Sequence, residues 1–264
     1  MTVHYRSYLD NSSDAEVMLS ESERWHAFQC LLPPRAAVAD AFLTRGISPL
    51  LHGLQAVGEL SAWSFTRQSP RVVCLHLLGS TPRLLAARLA GLCVAVGAEG
   101  PVHVPHLAAP PARDPRLVDV AVDLIGMTPG RQARLGAAVD LAMVAAVHTC
   151  PALRGDSEFV TSEAVAALPS VRWQRIATAL KTERHPLTCW SHLLEACRRA
   201  PGYDGRMTFD LVHLLHNQLG LSTRDEQRVH AGLIRSLSRR RAGARRSPRS
   251  HLSVQHPGPV RPKR

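Results

Sequence analysis

No run of eighteen apolar residues occurs without a charge or a turn former, and the opening stretch, MTVHYRSYLDNSSDAEVMLSESE, lacks the basic-then-apolar order of a secretory signal. Neither a membrane span nor a signal peptide is expected, so the protein reads as cytoplasmic. The six cysteines, Cys30, Cys74, Cys93, Cys150, Cys189 and Cys197, form no CxxC and no regular framework. They read as reduced, buried thiols. Cys189 and Cys197 flank one helical segment without a His pair at zinc spacing, which argues against a structural zinc. A GxGxxG after a strand, a Walker loop, a GxSxG elbow and HExxH are also missing, which removes several large enzyme classes. No internal repeat is visible.

Acidic residues are missing from the end of the chain. The net charge of +11 invites a nucleic-acid reading, yet nine Arg and one Lys lie from Arg235 onward with no acid among them. The remainder carries 22 basic against 21 acidic residues, so the excess belongs to a tail. That tail is rich in Pro, Gly, Ser and Arg and lacks the apolar residues that offset ordering entropy. Residues 237–264 are therefore expected to be a disordered, solvated basic tail, and residues 1–22 a flexible arm.

What is present suffices for a full core, since 45% of 264 residues are apolar. WHAFQCLL (25–32) reads as a mostly buried strand ended by Pro33-Pro34. Apolar residues Val38, Phe42, Leu50, Leu51 and Leu54 recur at helical intervals, interrupted by Gly46 and Pro49, which predicts two short helices or one kinked helix. ELSAWSFTR (59–67) and RVVCLHLL (71–78) flank Gln68-Ser69-Pro70, a turn short enough to force an antiparallel hairpin. A helix over 82–96 follows, with Thr81 as N-cap candidate, Pro82 at its first position and Gly97 as its stop. PVHVPH (101–106) is extended. This order predicts an α+β protein whose 23–107 half is a split β-α-β (ferredoxin-like) unit with helices on one face. AAPPARDP (108–115) reads as a joint to a mainly helical half over 114–236, with helices at 116–126, 131–148, 162–168, 171–182, 187–199, 206–219 and 223–237. Trp25, Trp63 and Trp173 read as core.

Two HxxH pairs, His103/His106 and His213/His216, each offer two imidazoles, but no third ligand stands at a matching spacing, and no metal is expected. The segment MTFDLVHLLHNQLGLSTRDEQ (207–227) is more informative. On a helix, Leu211, Leu215 and Leu219 share an apolar face, while Asp210, His213, His216, Asn217 and Gly220 gather opposite it. Such a face is either simply solvated or, beside a cavity, suited to proton transfer.

The order His213, Asn217, Leu219-Gly220 and Asp225-Glu226 resembles the Leu-rich helix near the carboxy-terminal end of lantibiotic dehydratase elimination domains and thiopeptide macrocyclases. There an HxxxN signature precedes a Leu-Gly and an acidic turn. Trp63-Ser64-Phe65-Thr66-Arg67 and the following RVVCLHLL are similar to the strand entering that family's hairpin, and ISPLLHGLQAVGEL to its preceding helix. The resemblance spans residues 25–105 and 185–237. It implies a bacterial enzyme of antibiotic peptide biosynthesis, acting without a cofactor on a leader-bearing modified precursor peptide, with dehydratase proteins as possible partners and tRNA not expected.

Glutamate elimination needs cations to hold a glutamyl ester while a base removes the alpha proton. Here Cys74 and His76 stand where that family alternates arginines, and Gln218 follows Asn217. The resemblance then implies the formal [4+2] cycloaddition that joins two dehydroalanines into a six-membered nitrogen ring. Its demands are positioning and one amide proton transfer. In that reading His213 is catalytic, and Arg67, His76, Tyr203, His216, Asn217 and Gln218 bind substrate; the alternative for His216 is a solvated place on the helix face. Alternatives are a stand-alone glutamate-elimination domain and a noncatalytic leader-binding subunit.

Overall fold

A computed structural model of the chain describes residues 24–79, 82–107, 114–150, 165 and 170–244. The expected arm over 1–22, most of the joint at 108–115, most of the helix at 162–168 and the tail beyond 244 lie outside the described residues. The chain is α+β. Strands β1 (Arg24–Leu31), β2 (Ala62–Arg67), β3 (Val72–Gly79) and β4 (Glu99–His103) form one antiparallel sheet in the order β2-β3-β1-β4. The hairpin forms as the short turn requires, with Arg67 opposite Val73 and Phe65 opposite Leu75. β3 is buried on both faces along almost its whole length, which matches a sequence that is continuously apolar rather than alternating.

Of the two arrangements expected for residues 36–56, the structure shows the single interrupted helix: α1 (Ala36–Ala41), a π-helical turn (Phe42–Ile47) and α2 (Ser48–Ala56) follow one another without a gap. The Ser48 N–H bonds the Leu43 carbonyl five residues back, and this wide turn lets Pro49 enter without clashing with the carbonyl before it. α3 (Pro82–Val96) packs Leu85, Leu89 and Cys93 under the sheet. The expected extended piece at 101–106 is shorter: β4 ends at His103 and a single 3-10 turn covers Pro105–Leu107.

The second half contains α4 (Pro115–Met127), α5 (Arg131–Thr149), α6 (Val171–Leu180), α7 (Pro186–Arg199), α8 (Gly205–Gln218) and α9 (Thr223–Ala244). Their starts follow capping chemistry. Asp114, Ser170 and Asp204 accept from backbone N–H groups of the first turns of α4, α6 and α8, and the His185 ring does so for α7. α9 begins with a reciprocal box in which Ser222 Oγ and the Asp225 carboxylate each take the other's backbone N–H. α5 is enclosed by α7, α8 and α9, which is why its stretch 138–148 is almost wholly buried. One continuous set of buried side chains runs from Phe28 and Leu75 on the sheet through Leu141 on α5 to Trp190 and Leu215.

Three expectations are corrected. α9 continues to Ala244, so residues 237–244 are helical, because Arg and Ala there favour the helix already running. Trp25 is only partly buried, lying near the end of β1, whereas Trp63 and Trp173 are core. Cys150 is exposed and Cys189 partly so, one at the end of α5 and one in the first turn of α7; Cys30, Cys74, Cys93 and Cys197 are buried. No helix among the described residues is long and apolar enough to cross a membrane.

Candidate active site at the end of α8

β2 is an edge strand, and Phe65 and Arg67 turn backbone groups away from β3. The last turn of α8 meets them with amide side chains. Asn217 Oδ1 accepts from the Arg67 N–H at 2.9 Å while Asn217 Nδ2 donates to the Arg67 carbonyl at 2.8 Å. Gln218 Nε2 donates to the Phe65 carbonyl at 3.0 Å. Two adjacent residues thus take the place of a neighbouring strand and close the edge.

The same helix end binds cations. Gly220, at φ 73°, closes α8 with a left-handed turn in which Gly220 N–H bonds the Asn217 carbonyl and Leu221 N–H the His216 carbonyl. The next carbonyls have no helical donor left. Arg67 Nε donates to the Gln218 carbonyl at 2.9 Å and Arg134 Nη1 to the Leu219 carbonyl at 3.3 Å. Asp40 sits between the guanidiniums, taking Arg67 Nη2 at 3.1 Å on one oxygen and Arg134 Nη2 on the other. A Cβ on Gly220 would lie 3.2 Å from Arg67 Cδ, so the residue is also required for this close approach. Burial lowers the proton affinity of Arg67, and Asp40 opposes that shift.

His213 lies one turn earlier and faces α9. Its Nδ1 is 3.0 Å from Glu226 Oε2 and 2.9 Å from Oε1, with its side chain about half exposed. The Glu226 hydrogen bond raises its proton affinity, and Asp210 adds to this. His216, expected on the solvated face, is instead buried, with Glu226 and His230 of α9 and Ala138 of α5 acting on its ring; it is 1% exposed. Desolvation pushes its imidazole down to about 4, although Glu226 Oε1 stands 4.0 Å from Nδ1. His216 Nε2 and Gln218 Oε1 have no hydrogen-bond partner among the described residues.

His76 and Tyr203 make their hydrogen bonds elsewhere among the described residues. His76 is buried on β3 between Ala27 and Ser64, with Nε2 3.5 Å from Thr66 Oγ1. Tyr203 pairs its hydroxyl with Thr208 Oγ1 at 2.9 Å, within its own helix start. The structure therefore brings Arg67, Asn217 and Gln218 together and sets His213 and His216 beside Glu226. Asp40 and Arg134 were missed; for Asp40 the available signal was a lone charge inside an apolar helical repeat. Glu226 was read only as part of an acidic turn, although the Ser222-to-Asp225 spacing fixes α9 and so places Glu226 opposite His213. Among the described residues no group of three or more His, Cys, Asp or Glu is arranged to hold a metal ion.

No protein-family model and no curated protein matches the sequence. Among solved structures, the fold is similar to TsrL, at 12% identity and a TM-score of 0.57, over 83% of this chain and 96% of that one. A second is the tRNA-dependent lantibiotic dehydratase MibB from Microbispora sp. 107891, at 17% identity and a TM-score of 0.49, over 86% of this chain and 29% of that one.

Proposed function

We propose that the protein tailors a leader-bearing ribosomal peptide by the formal [4+2] cycloaddition of two dehydroalanines, with His213 moving the proton. The supporting observation is the junction itself. The two segments that carry the motif resemblance, distant in sequence, are bonded side by side through both backbone groups of Arg67 and the Asn217 amide. The fold shared with TsrL fits this reading, as does the insertion of β3 between β1 and β2, the order of a split β-α-β unit.

In the reaction an amide beside one dehydroalanine passes its N–H proton to its own oxygen, giving an azadiene. The π electrons of diene and alkene then form two carbon–carbon bonds. Nothing is oxidised or reduced, and no co-reactant is needed. His213, with its proton affinity raised by Glu226, donates to the amide oxygen and recovers a proton from nitrogen. Elimination fits less well, because the converging cations Arg67 and Arg134 are already committed to Asp40 and to the carbonyls of α8. The same commitment of Arg67, Asn217 and Gln218 favours one second reading, a noncatalytic leader-binding subunit.

The test is turnover of a leader-bearing peptide with two dehydroalanines, followed by NMR for the new ring. Wild-type protein should form it, and His213→Ala should slow it by about 10²–10⁴-fold while leader binding is unchanged. Leader binding without ring formation by the wild type would move the assignment to the second reading. Ring formation at the full rate by His213→Ala would leave the cyclase and remove the residue's role.

A further inference from the structure

A second feature lies away from the end of α8. A cleft of about 350 Å³ opens between α5, the first turn of α6 and the middle of α9. Leu135, Val139 and Val229 make an apolar floor, and Arg172, Arg228 and Arg235 stand around it. Arg228 and Arg235 are two helical turns apart on one face of α9, and Gly232 between them brings the helix backbone close against Val139, whose Cγ2 would lie 3.2 Å from an added Cβ.

Among the described residues these cations share their acids with other arginines or have none. Arg172 Nε bonds Asp140 at 2.6 Å, but Asp140 also serves Arg175 at 2.7 Å. Arg228 stands 3.6 Å from Asp225, a carboxylate already held by Arg131 and by Ser222 at 2.8 Å. Arg235 makes no ion pair among the described residues. A guanidinium is suited to paired hydrogen bonds with a carboxylate, and several around an apolar floor select a ligand that is both anionic and partly apolar. The volume is at the small end for ligand clefts, enough for a few side chains rather than a folded partner.

We propose that this cleft docks an acidic segment of the peptide on which the protein acts, the arginines taking Asp or Glu carboxylates and the floor a Leu or Ile between them. The proposal rests on the peptide-substrate reading above. It separates recognition, on the α5–α9 side, from proton transfer at His213.

Binding of a capped, fluorescein-labelled peptide Glu-Leu-Glu-Glu-Leu-Glu to the full-length protein, read by fluorescence anisotropy, tests it without turnover. The Arg228→Glu/Arg235→Glu double variant should bind at least about tenfold more weakly, and the affinity of the wild type should fall with added salt. Gly136→Leu, which narrows the cleft at a position where an added Cβ meets nothing within 4 Å, should weaken binding without changing charge. Arg83→Glu/Arg88→Glu, on the exposed side of α3, should change affinity less than twofold. Unchanged binding by the first variant, or equal loss by the α3 control, would overturn the dock and assign the binding to diffuse basic charge. Retained docking with no ring formation by the wild type would instead count against the cyclase reading alone.

Discussion

Two surfaces of α8, one turn apart, are built from the same kinds of residue and do different work. Asn217 and Gln218 point at β2 and bond Phe65 and Arg67, where water is largely excluded. His213 points at α9 and solvent, held by one carboxylate. Polar groups on the first surface substitute for a missing strand, and removing one leaves a backbone group unpaired in the interior. A polar group on the second can exchange protons with anything that approaches. An HxxxN spacing therefore joins one residue that anchors the helix to β2 and one that faces α9 and solvent.

If this contrast is right, the largest loss comes from the middle of the anchoring surface. Asp40→Ala leaves the Arg67 and Arg134 guanidiniums together and uncompensated, with side chains only 5% and 8% exposed. Breaking a buried ionic group by removing one partner costs about 3–5 kcal/mol, and urea unfolding should show a loss of that size. A loss below about 1 kcal/mol would mean that water reaches both arginines, and the two surfaces would not differ as described.

Asn217→Ala should rank next. It removes a donor and an acceptor from the edge of β2 and leaves the Arg67 N–H and carbonyl to find water, at a cost of about 2–3 kcal/mol. Asn217→Asp sharpens the point. It can still accept from the N–H but sets a carboxylate against the carbonyl, so it should be no better than Ala. Amide exchange at Arg67, followed by NMR, should speed up in both variants.

Local pattern made much of this fold legible before any coordinates. The hairpin followed from a three-residue turn, α3 from Pro82 and Gly97, and α8 from leucines at helical spacing. What stayed hidden was long-range. Periodicity put His216 and Asn217 on one face with His213, which is true of the helix alone. It could not say that α9 would cover His216, or that β2 would present backbone to Asn217. The partners Asp40 and Arg134 belong to helices distant in sequence, and no spacing connects them to Arg67. Nor could an apolar repeat broken by Gly46 and Pro49 reveal that a π turn would absorb the break.

The smallest effect belongs to the exposed surface, and its sign depends on pH. The Glu226 hydrogen bond raises the His213 proton affinity above its ordinary value of 6.5, so the pair stabilises the fold fully below that value. The contribution is lost as pH rises through the raised folded value. Since His213 is about half exposed, screening limits the pair to about 0.2–1 kcal/mol. His216 acts in the opposite sense. Its folded value of about 4 lies below 6.5, so its contribution is present above 6.5 and lost as pH falls toward 4. Glu226 moderates that second loss, because its charge favours the His216 cation. Glu226→Gln removes both effects of the carboxylate. The melting temperature of the variant should therefore fall below that of the wild type at about pH 6 and approach it near pH 9, where both imidazoles are neutral. A difference that stays constant across that range would show that the Glu226 contact does not depend on the charge of the His213 imidazole. In that case His213 would not be a charged proton donor at neutral pH, and the division between anchoring and reactive surfaces of α8 would rest on exposure alone.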